Sequence, residues 1–128
     1  MTTIPGFFED VHLTESTFGK PTVTKDVLRI PVRGVSLVGE HPLAGTSDRH
    51  GWLVFGGVRE SRRHVCRYIG DPKTPQGFEP ERVETDGPFP PDNATICHEF
   101  TFEGMWEDPP AWIGSWIIRA NTFAFEML

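Results

Sequence analysis

Cysteine is scarce in this sequence, which contains Cys66 and Cys97 as its two thiols in 128 residues. Two cysteines are too few for the disulfide framework that holds small secreted domains together. The first ten residues also lack the basic region and the apolar stretch of a secretory signal. The sequence therefore predicts a cytoplasmic protein whose two cysteines are reduced.

Long apolar runs are missing as well. The longest are Trp52–Phe55 and Trp116–Ile118, far short of the ~20 residues that a helix needs to cross a bilayer. No membrane association is predicted. Long helices are not expected either, because 13 glycines and 12 prolines interrupt the chain.

Positive charge is the third shortage. Twelve lysines and arginines face 18 aspartates and glutamates, which gives a formal net charge of −6. Nucleic-acid binding is therefore not expected, since it depends on basic side chains that neutralise phosphates. Residues 71–128 hold three of the basic residues and eleven of the acidic ones. This imbalance predicts an acidic surface in the second half of the chain, suited to a basic protein partner.

What the sequence does have is 38% hydrophobic residues with turn signals at short intervals, which is typical of one mainly β domain over 1–128. Apolar residues alternate with charged ones over Val27–Arg33, and Pro31 within this run predicts an edge strand or a bulge. Over Thr95–Glu103 the even positions are mostly apolar and the odd positions mostly polar, which predicts a strand with one buried face.

The carboxyl-terminal region predicts two further strands, Trp112–Arg119 and Asn121–Met127. In the first strand the apolar residues expected to be buried, which include Trp112 and Trp116, are at even positions, whereas in the second strand they are at odd positions. A bend is therefore expected near 119–122. An acidic turn over 107–110 precedes them. Shorter candidate strands are Phe7–Leu13, Val35–Val38 and Trp52–Phe55. The total predicts a single antiparallel β-sandwich or flattened barrel of about seven strands.

Two segments are less well defined by their pattern. Residues 58–69 fit a short helix, with Val58, Val65 and Ile69 on one side, and fit a strand equally well. Residues 70–92 are rich in proline and acid and predict a long loop. Whether this loop is ordered is left open.

Chemical signatures are sparse. No Cys-x-x-Cys, His-x-x-x-His, Gly-x-Ser-x-Gly or phosphate-binding glycine pattern occurs. His64, Cys66 and His98 are weak candidates for a metal site, because imidazole and thiolate are the usual zinc ligands. The sequence thus predicts no catalytic residue and no cofactor.

Three functions are compatible with these observations. The first is a non-enzymatic protein-binding module that meets a basic partner through its acidic residues, which are Glu79, Glu81, Glu84, Asp86, Glu107 and Asp108. The second is a pocket for a sugar or another small molecule, lined by Trp52, Trp106, Trp112 and Trp116. The third is a small enzyme that uses His64, Cys66 or His98. The oligomeric state and the identity of the partner or ligand are left open.

Overall fold

The chain forms a mainly β structure in a computed structural model that describes residues 2–71, 73–90 and 97–128. The strands in these ranges are β1 (Thr2–Pro5), β2 (Val11–His12), β3 (Thr17–Phe18), β4 (Thr22–Thr24), β5 (Val27–Leu37), β6 (Thr46–Gly56), β7 (Glu60–Asp71), β8 (Thr74–Phe78), β9 (Arg82–Thr85), β10 (His98–Trp106), β11 (Ala111–Ala120) and β12 (Thr122–Met127). The one helical element in these ranges is a single 3-10 turn at Phe8–Asp10. None of the helical structure described is long and apolar enough to span a membrane.

The strands belong to one open mixed sheet with the order β1-β12-β6-β5-β3-β10-β11-β7-β8. β2, β3 and β4 pair in turn with β5, and β9 pairs with β7. The mainly β prediction is confirmed, but the sandwich arrangement and the count of about seven strands are not. The count was too low because strands of two to five residues, such as β1, β3 and β4, are too short to show alternation.

β5 joins two of the predicted strands into one and lies inside the sheet rather than at its edge. β6 pairs with one side of β5, and β2, β3 and β4 pair with the other. The carbonyl of Pro31 accepts a hydrogen bond from the Gly19 amide. The backbone nitrogen of Pro31 faces the same side as its carbonyl, toward the gap between β3 and β4. No ladder bond is lost there. The edge-strand alternative was wrong, whereas a register shift does follow between Val32 and Val35.

Residues 60–71 form strand β7, so the helical alternative for 58–69 was wrong. Ser61, Arg63 and Val65 are buried, whereas Arg62 and His64 between them are more exposed. β7 pairs with β11 on one side and with β9 and β8 on the other. These neighbours satisfy its backbone hydrogen bonds, which outweighs the weak helical periodicity.

The predicted loop 70–92 also needs correction, because it contains β8 and β9. Both strands pair antiparallel with β7, one after the other. Pro80 lies between them, whereas Pro75 lies within β8, opposite Gly70 and next to a register shift. Proline is tolerated in edge strands and at bulges, which is why this proline-rich segment can still add an edge to the sheet. Residues 86–90 have no regular structure, and the end of the predicted loop, 91–92, lies outside the described residues. The single-domain prediction stays a prediction.

Among the remaining strand predictions, Phe7–Leu13 was mostly wrong, because Phe7 adopts a left-handed conformation and Phe8–Asp10 form the 3-10 turn, which leaves only Val11–His12 as strand β2. The others succeed except at one bulge. The predicted strand Thr95–Glu103 corresponds to β10, with Phe100 and Phe102 on the more buried face, although its residues 95–96 lie outside the described part. The turn at 107–110 and a bend at Asn121 between β11 and β12 are both present. However, β11 has an extra residue at Gly114 relative to both neighbours. This bulge reverses the buried parity, so Trp112 does not share the buried face with Trp116.

The core forms where the sheet curls and its two halves meet face to face. Phe55 on β6 stacks nearly parallel to Phe102 on β10, with ring centroids 6.1 Å apart. Phe123 on β12 lies 5.2 Å from Phe55. At one end of the sheet β1 pairs with β12, and Thr2 lies opposite Met127. The core therefore joins segments from both ends of the chain.

Gly104 allows β10 to lie close to Phe18 and Ser16. A side chain there would place its Cβ 2.6 Å from the ring of Phe18 and 2.9 Å from the Ser16 carbonyl oxygen. The parallel pairing of β10 with β3 covers Met105 and Trp106 and stops at this point. On the amino-terminal side of Gly104, β10 has no ladder partner toward β3 among the described residues.

Candidate functional site: a groove beside an open strand edge

A groove of about 1030 Å³ lies between residues 98–103 of β10 and the amino-terminal segment 5–14. It opens because these two stretches separate beyond the short β10–β3 pairing. We call it the β10 groove. The carboxyl-terminal bend, at Asn121 and Thr122, also contributes to its wall.

The floor of the β10 groove is aromatic. It is made by Phe8, Phe100, Phe102 and Phe123, which come from three separate elements. The ring of Phe8 lies edge-on at 5.0 Å from Phe100 and also at 5.0 Å from Phe123. Edge-to-face contacts of this kind hold rings in fixed orientations. The floor is therefore a preformed apolar surface.

One side of the groove is an unsatisfied strand edge. The amides of Met105 and Glu107 donate to the carbonyls of Ser16 and Phe18, so the odd-numbered residues of β10 turn their backbone groups away from β11. Alternation then places the N–H and C=O groups of residues 99, 101 and 103 on the same edge. Within the described residues none of these groups has a ladder partner. We call them the open edge.

The partner strand gives an independent check on this orientation. Glu99 lies opposite Arg119 in the β10–β11 register. The carbonyl of Arg119 accepts a hydrogen bond from Arg59 on the β7 side, so the Arg119 backbone faces away from β10. An antiparallel pair is either hydrogen-bonded on both residues or on neither. The backbone of Glu99 therefore also faces away from β11, into the groove.

The rim of the groove is acidic. Glu9, Glu99 and Glu103 line it, together with His98, and no lysine or arginine is among the residues that line it. None of these three rim acids makes an ion pair with a described residue within 4 Å. The nearest base by register is Arg119, opposite Glu99, and its guanidinium lies 3.9 Å from Glu60 instead. The groove thus combines an apolar floor, an open edge and acidic side chains that have no ion pair within 4 Å among the described residues.

The acidic residues predicted to form a partner surface are mostly compensated within the chain. Five of the six contact an arginine or a histidine. The contacts are Glu79 with Arg67, Glu81 with His64, Glu84 with Arg63 and Arg82, Asp86 with Arg63, and Glu107 with Arg33. Asp108 lies exposed in the turn after β10. Sequence reasoning missed these contacts because, apart from Arg82 on the strand of Glu84 itself, the basic partners come from other strands.

The four tryptophans do not form one pocket. Trp106 and Trp116 are buried and contact each other, with ring centroids 5.9 Å apart. Trp52 is half-buried on β6 beneath Arg29, and Trp112 is half-buried on β11 opposite Cys66. None of the four lines the β10 groove. The predicted ligand-binding set is therefore divided between the core and two separate surfaces.

Trp106 and Trp116 enclose a buried arginine. The guanidinium carbon of Arg63 lies 4.6 Å from the Trp106 ring centre and 4.9 Å from that of Trp116. Its Nη1 donates to Asp86 at 2.7 Å. Ser61 donates to the same carboxylate and accepts a hydrogen bond from the Trp116 indole. This network is fully occupied by the protein's own groups and attaches the segment after β9 to the sheet.

The metal candidates are also separated. His64 and Cys66 lie on the same face of β7, while His98 is two strands away on β10. The Nδ1 atom of His64 lies 2.7 Å from a carboxylate oxygen of Glu81. Among residues 2–71, 73–90 and 97–128, no group of three or more His, Cys, Asp or Glu side chains is arranged to hold a metal ion.

A buried histidine supports the outer wall of the groove. His41 is 3% exposed, and its ring packs edge-on against Phe7, 5.7 Å away. The Leu43 amide donates to Nδ1 of His41 at 3.0 Å, so this nitrogen carries no proton and the ring is neutral. Desolvation by burial lowers the pKa of His41, and the nearby Asp10 carboxylate opposes this by raising it.

The lowered pKa of His41 predicts a loss of stability in acid. The unfolded chain takes up a proton near pH 6.5, the ordinary value, whereas the folded chain does so only at lower pH. We expect the free energy of unfolding to fall as pH drops below 6.5, by at most about 1.4 kcal/mol per pH unit. Urea denaturation from pH 7.5 to 5 measures this. The variant H41Q should have a shallower slope, with H50Q as an exposed-histidine control; equal slopes in H41Q and the unmodified protein would contradict the prediction.

Comparisons with protein-family models, with curated proteins and with solved structures find no match to this chain. The site is therefore interpreted from its own geometry. Phe8, Glu9, Glu99 and Glu103 were not among the predicted site residues. The alternation over Thr95–Glu103 indicated the strand that carries two of them, but the sequence contains no signal for the open edge.

Proposed function

We propose that this protein is a non-enzymatic binding module that receives an extended segment of a protein partner at the open edge of β10. The observation that carries the proposal is the row of backbone groups at residues 99, 101 and 103 beside the groove, which have no ladder partner in the ranges 2–71, 73–90 and 97–128. Peptides commonly bind sheet edges in this way, because main-chain hydrogen bonds supply affinity while side-chain pockets supply specificity. Exposed edges without such a use are usually blocked or covered.

The dimensions of the groove favour a peptide. Residues 98–103 span about 20 Å at the rise of a β-strand, which matches a six-residue partner strand. A strand in this position alternates its side chains between the aromatic floor and solvent. A small-molecule pocket usually has a volume of roughly 300–1,000 Å³ and encloses most of its ligand. The β10 groove, at about 1030 Å³, lies at the upper end of this range, and it is lined by six consecutive residues of one strand, 98–103.

Hydrogen exchange tests the proposal directly. Random ten-residue peptides displayed on phage are selected against the immobilised protein, and the tightest peptide is added to labelled protein for amide exchange by NMR. We expect the amides of Glu99, Thr101 and Glu103 to exchange rapidly in the free protein and at least tenfold more slowly with peptide. The amides of Phe100 and Phe102 point toward β11 and serve as internal controls that change little.

Three outcomes would overturn the proposal. The first is that no peptide is enriched above the level of an empty surface. The second is that enriched peptides protect amides in another part of the sheet and leave the three open-edge amides unchanged. Slow exchange of those three amides in the free protein would show that the edge is already paired.

A further inference from the structure

We infer that the partner segment alternates basic and apolar side chains, with the basic ones facing solvent. This inference rests on the proposed function and adds the chemistry of the partner. It follows from the two different surfaces that border the open edge. The inner surface is the aromatic floor, and the outer one carries the rim acids Glu99 and Glu103.

The inner surface selects apolar side chains. Phe100 and Phe102 project toward the core side of β10, where Phe8 and Phe123 complete the floor. Side chains of an added strand directly opposite these residues would lie about 4.5–5.5 Å away, in the range of cross-strand contact. Burial of an apolar side chain there is favourable, whereas an unpaired charge on the aromatic floor loses its hydration.

The outer surface selects basic side chains. Glu99, Thr101 and Glu103 project to the opposite face, so every second residue of the added strand would lie beside one of them. Cross-strand pairs of opposite charge are favourable and like charges directly opposite are unfavourable. Because none of the described residues that line the groove is a lysine or arginine, basic side chains of the partner would supply the charge that pairs with these acids. Glu9 on the facing wall adds to the same field.

Synthetic hexapeptides with blocked ends provide the test. The probes are KVKVKV, its acidic counterpart EVEVEV, and KKKVVV, which has the composition of the first without its alternation. Affinity for the intact protein is measured by fluorescence anisotropy at low and high salt. We expect KVKVKV to bind most tightly and to weaken as salt rises.

Matched variants separate the inference from the proposed function. The double variant E99Q/E103Q should bind KVKVKV about 2- to 30-fold more weakly, the range for two exposed ion pairs. The control E40Q/D48N removes two acids that do not line the groove and should bind as the unmodified protein does. T101P removes an open-edge N–H without breaking a bond to β11, and should lose binding to every peptide. T101V keeps that N–H and should retain binding.

The outcomes are distinguishable. If T101P binds KVKVKV as well as T101V does, the edge is not the site and the proposed function fails. A second set of outcomes starts from a loss of binding in T101P. If E99Q/E103Q then binds KVKVKV as tightly as the unmodified protein does, or if EVEVEV binds the unmodified protein as tightly as KVKVKV does, binding at the edge is supported and the inferred charge pattern is wrong. Equal affinity for KVKVKV and KKKVVV also contradicts the alternation. Thermal denaturation checks that T101P folds. If T101P does not fold, E99Q/E103Q and the three peptides still test the inferred charge pattern.

Discussion

Replacing Arg63 by alanine should lower the free energy of unfolding by about 3–5 kcal/mol, the usual cost of removing one partner from a buried ion pair. The Arg63 side chain is 8% exposed and that of Asp86 is 9% exposed. The substitution leaves the Asp86 carboxylate buried without its guanidinium partner. It also removes the stacking of that group on Trp106 and Trp116. Urea denaturation at pH 7 measures the change.

The adjacent arginine provides the control. Arg62 is on the same strand, its side chain is 47% exposed, and it contacts Glu60 at 3.6 Å. R62A removes the same charge and should cost less than about 1 kcal/mol, because exposed ion pairs contribute little. A loss below about 1 kcal/mol for R63A, equal to that of R62A, would show that the Arg63 network does not hold β9 and the segment after it on the sheet.

Replacing Phe55 by alanine should also destabilise the fold by about 3–5 kcal/mol. Phe55 has no exposed surface, and its ring contacts Phe8, Phe100, Phe102 and Phe123. It therefore supports the entire floor of the β10 groove from below. Truncation leaves a cavity at the contact between the two halves of the sheet, which the surrounding rings cannot fill without tilting.

Phe78 is the matched control for this substitution, because its ring is 52% exposed on β8. F78A should lower the free energy of unfolding by less than about 1 kcal/mol. The free energy of unfolding of both variants is measured by urea denaturation, with the same linear extrapolation to zero urea. Similar losses for F55A and F78A would mean that the aromatic cluster is not the main core contact.

The sequence predicted best those strands that have one apolar and one polar face. β5 and β10 were recognised because Leu28 and Ile30, and likewise Phe100 and Phe102, recur with a period of two. β7 was ambiguous for a physical reason: it buries Arg63, and a charged residue on the inner face breaks the binary pattern. The stacking and ion pairs that make this burial favourable come from other strands.

The groove itself was beyond sequence reasoning. Its floor combines Phe8 and Phe123 with two residues of β10, so it exists only after the sheet has curled. Its open edge arises because the β10–β3 pairing stops after Met105 and Trp106. The charge imbalance predicted an acidic surface in the second half of the chain, but the pattern could not show which acids would contact arginines. Trp112 was misplaced because the predicted strand was taken as regular, without the bulge that Gly114 marks.

The pairing of β1 with β12 has a consequence for how the chain folds. Thr2 lies opposite Met127, so this ladder joins residues separated by almost the whole sequence. Such a contact must offset the loop-closure entropy of all the intervening chain before it contributes any stability. Sheets dominated by distant pairings fold in roughly milliseconds to seconds rather than microseconds. The β1–β12 ladder should thus be among the last contacts to form, after the local hairpin of β10 and β11.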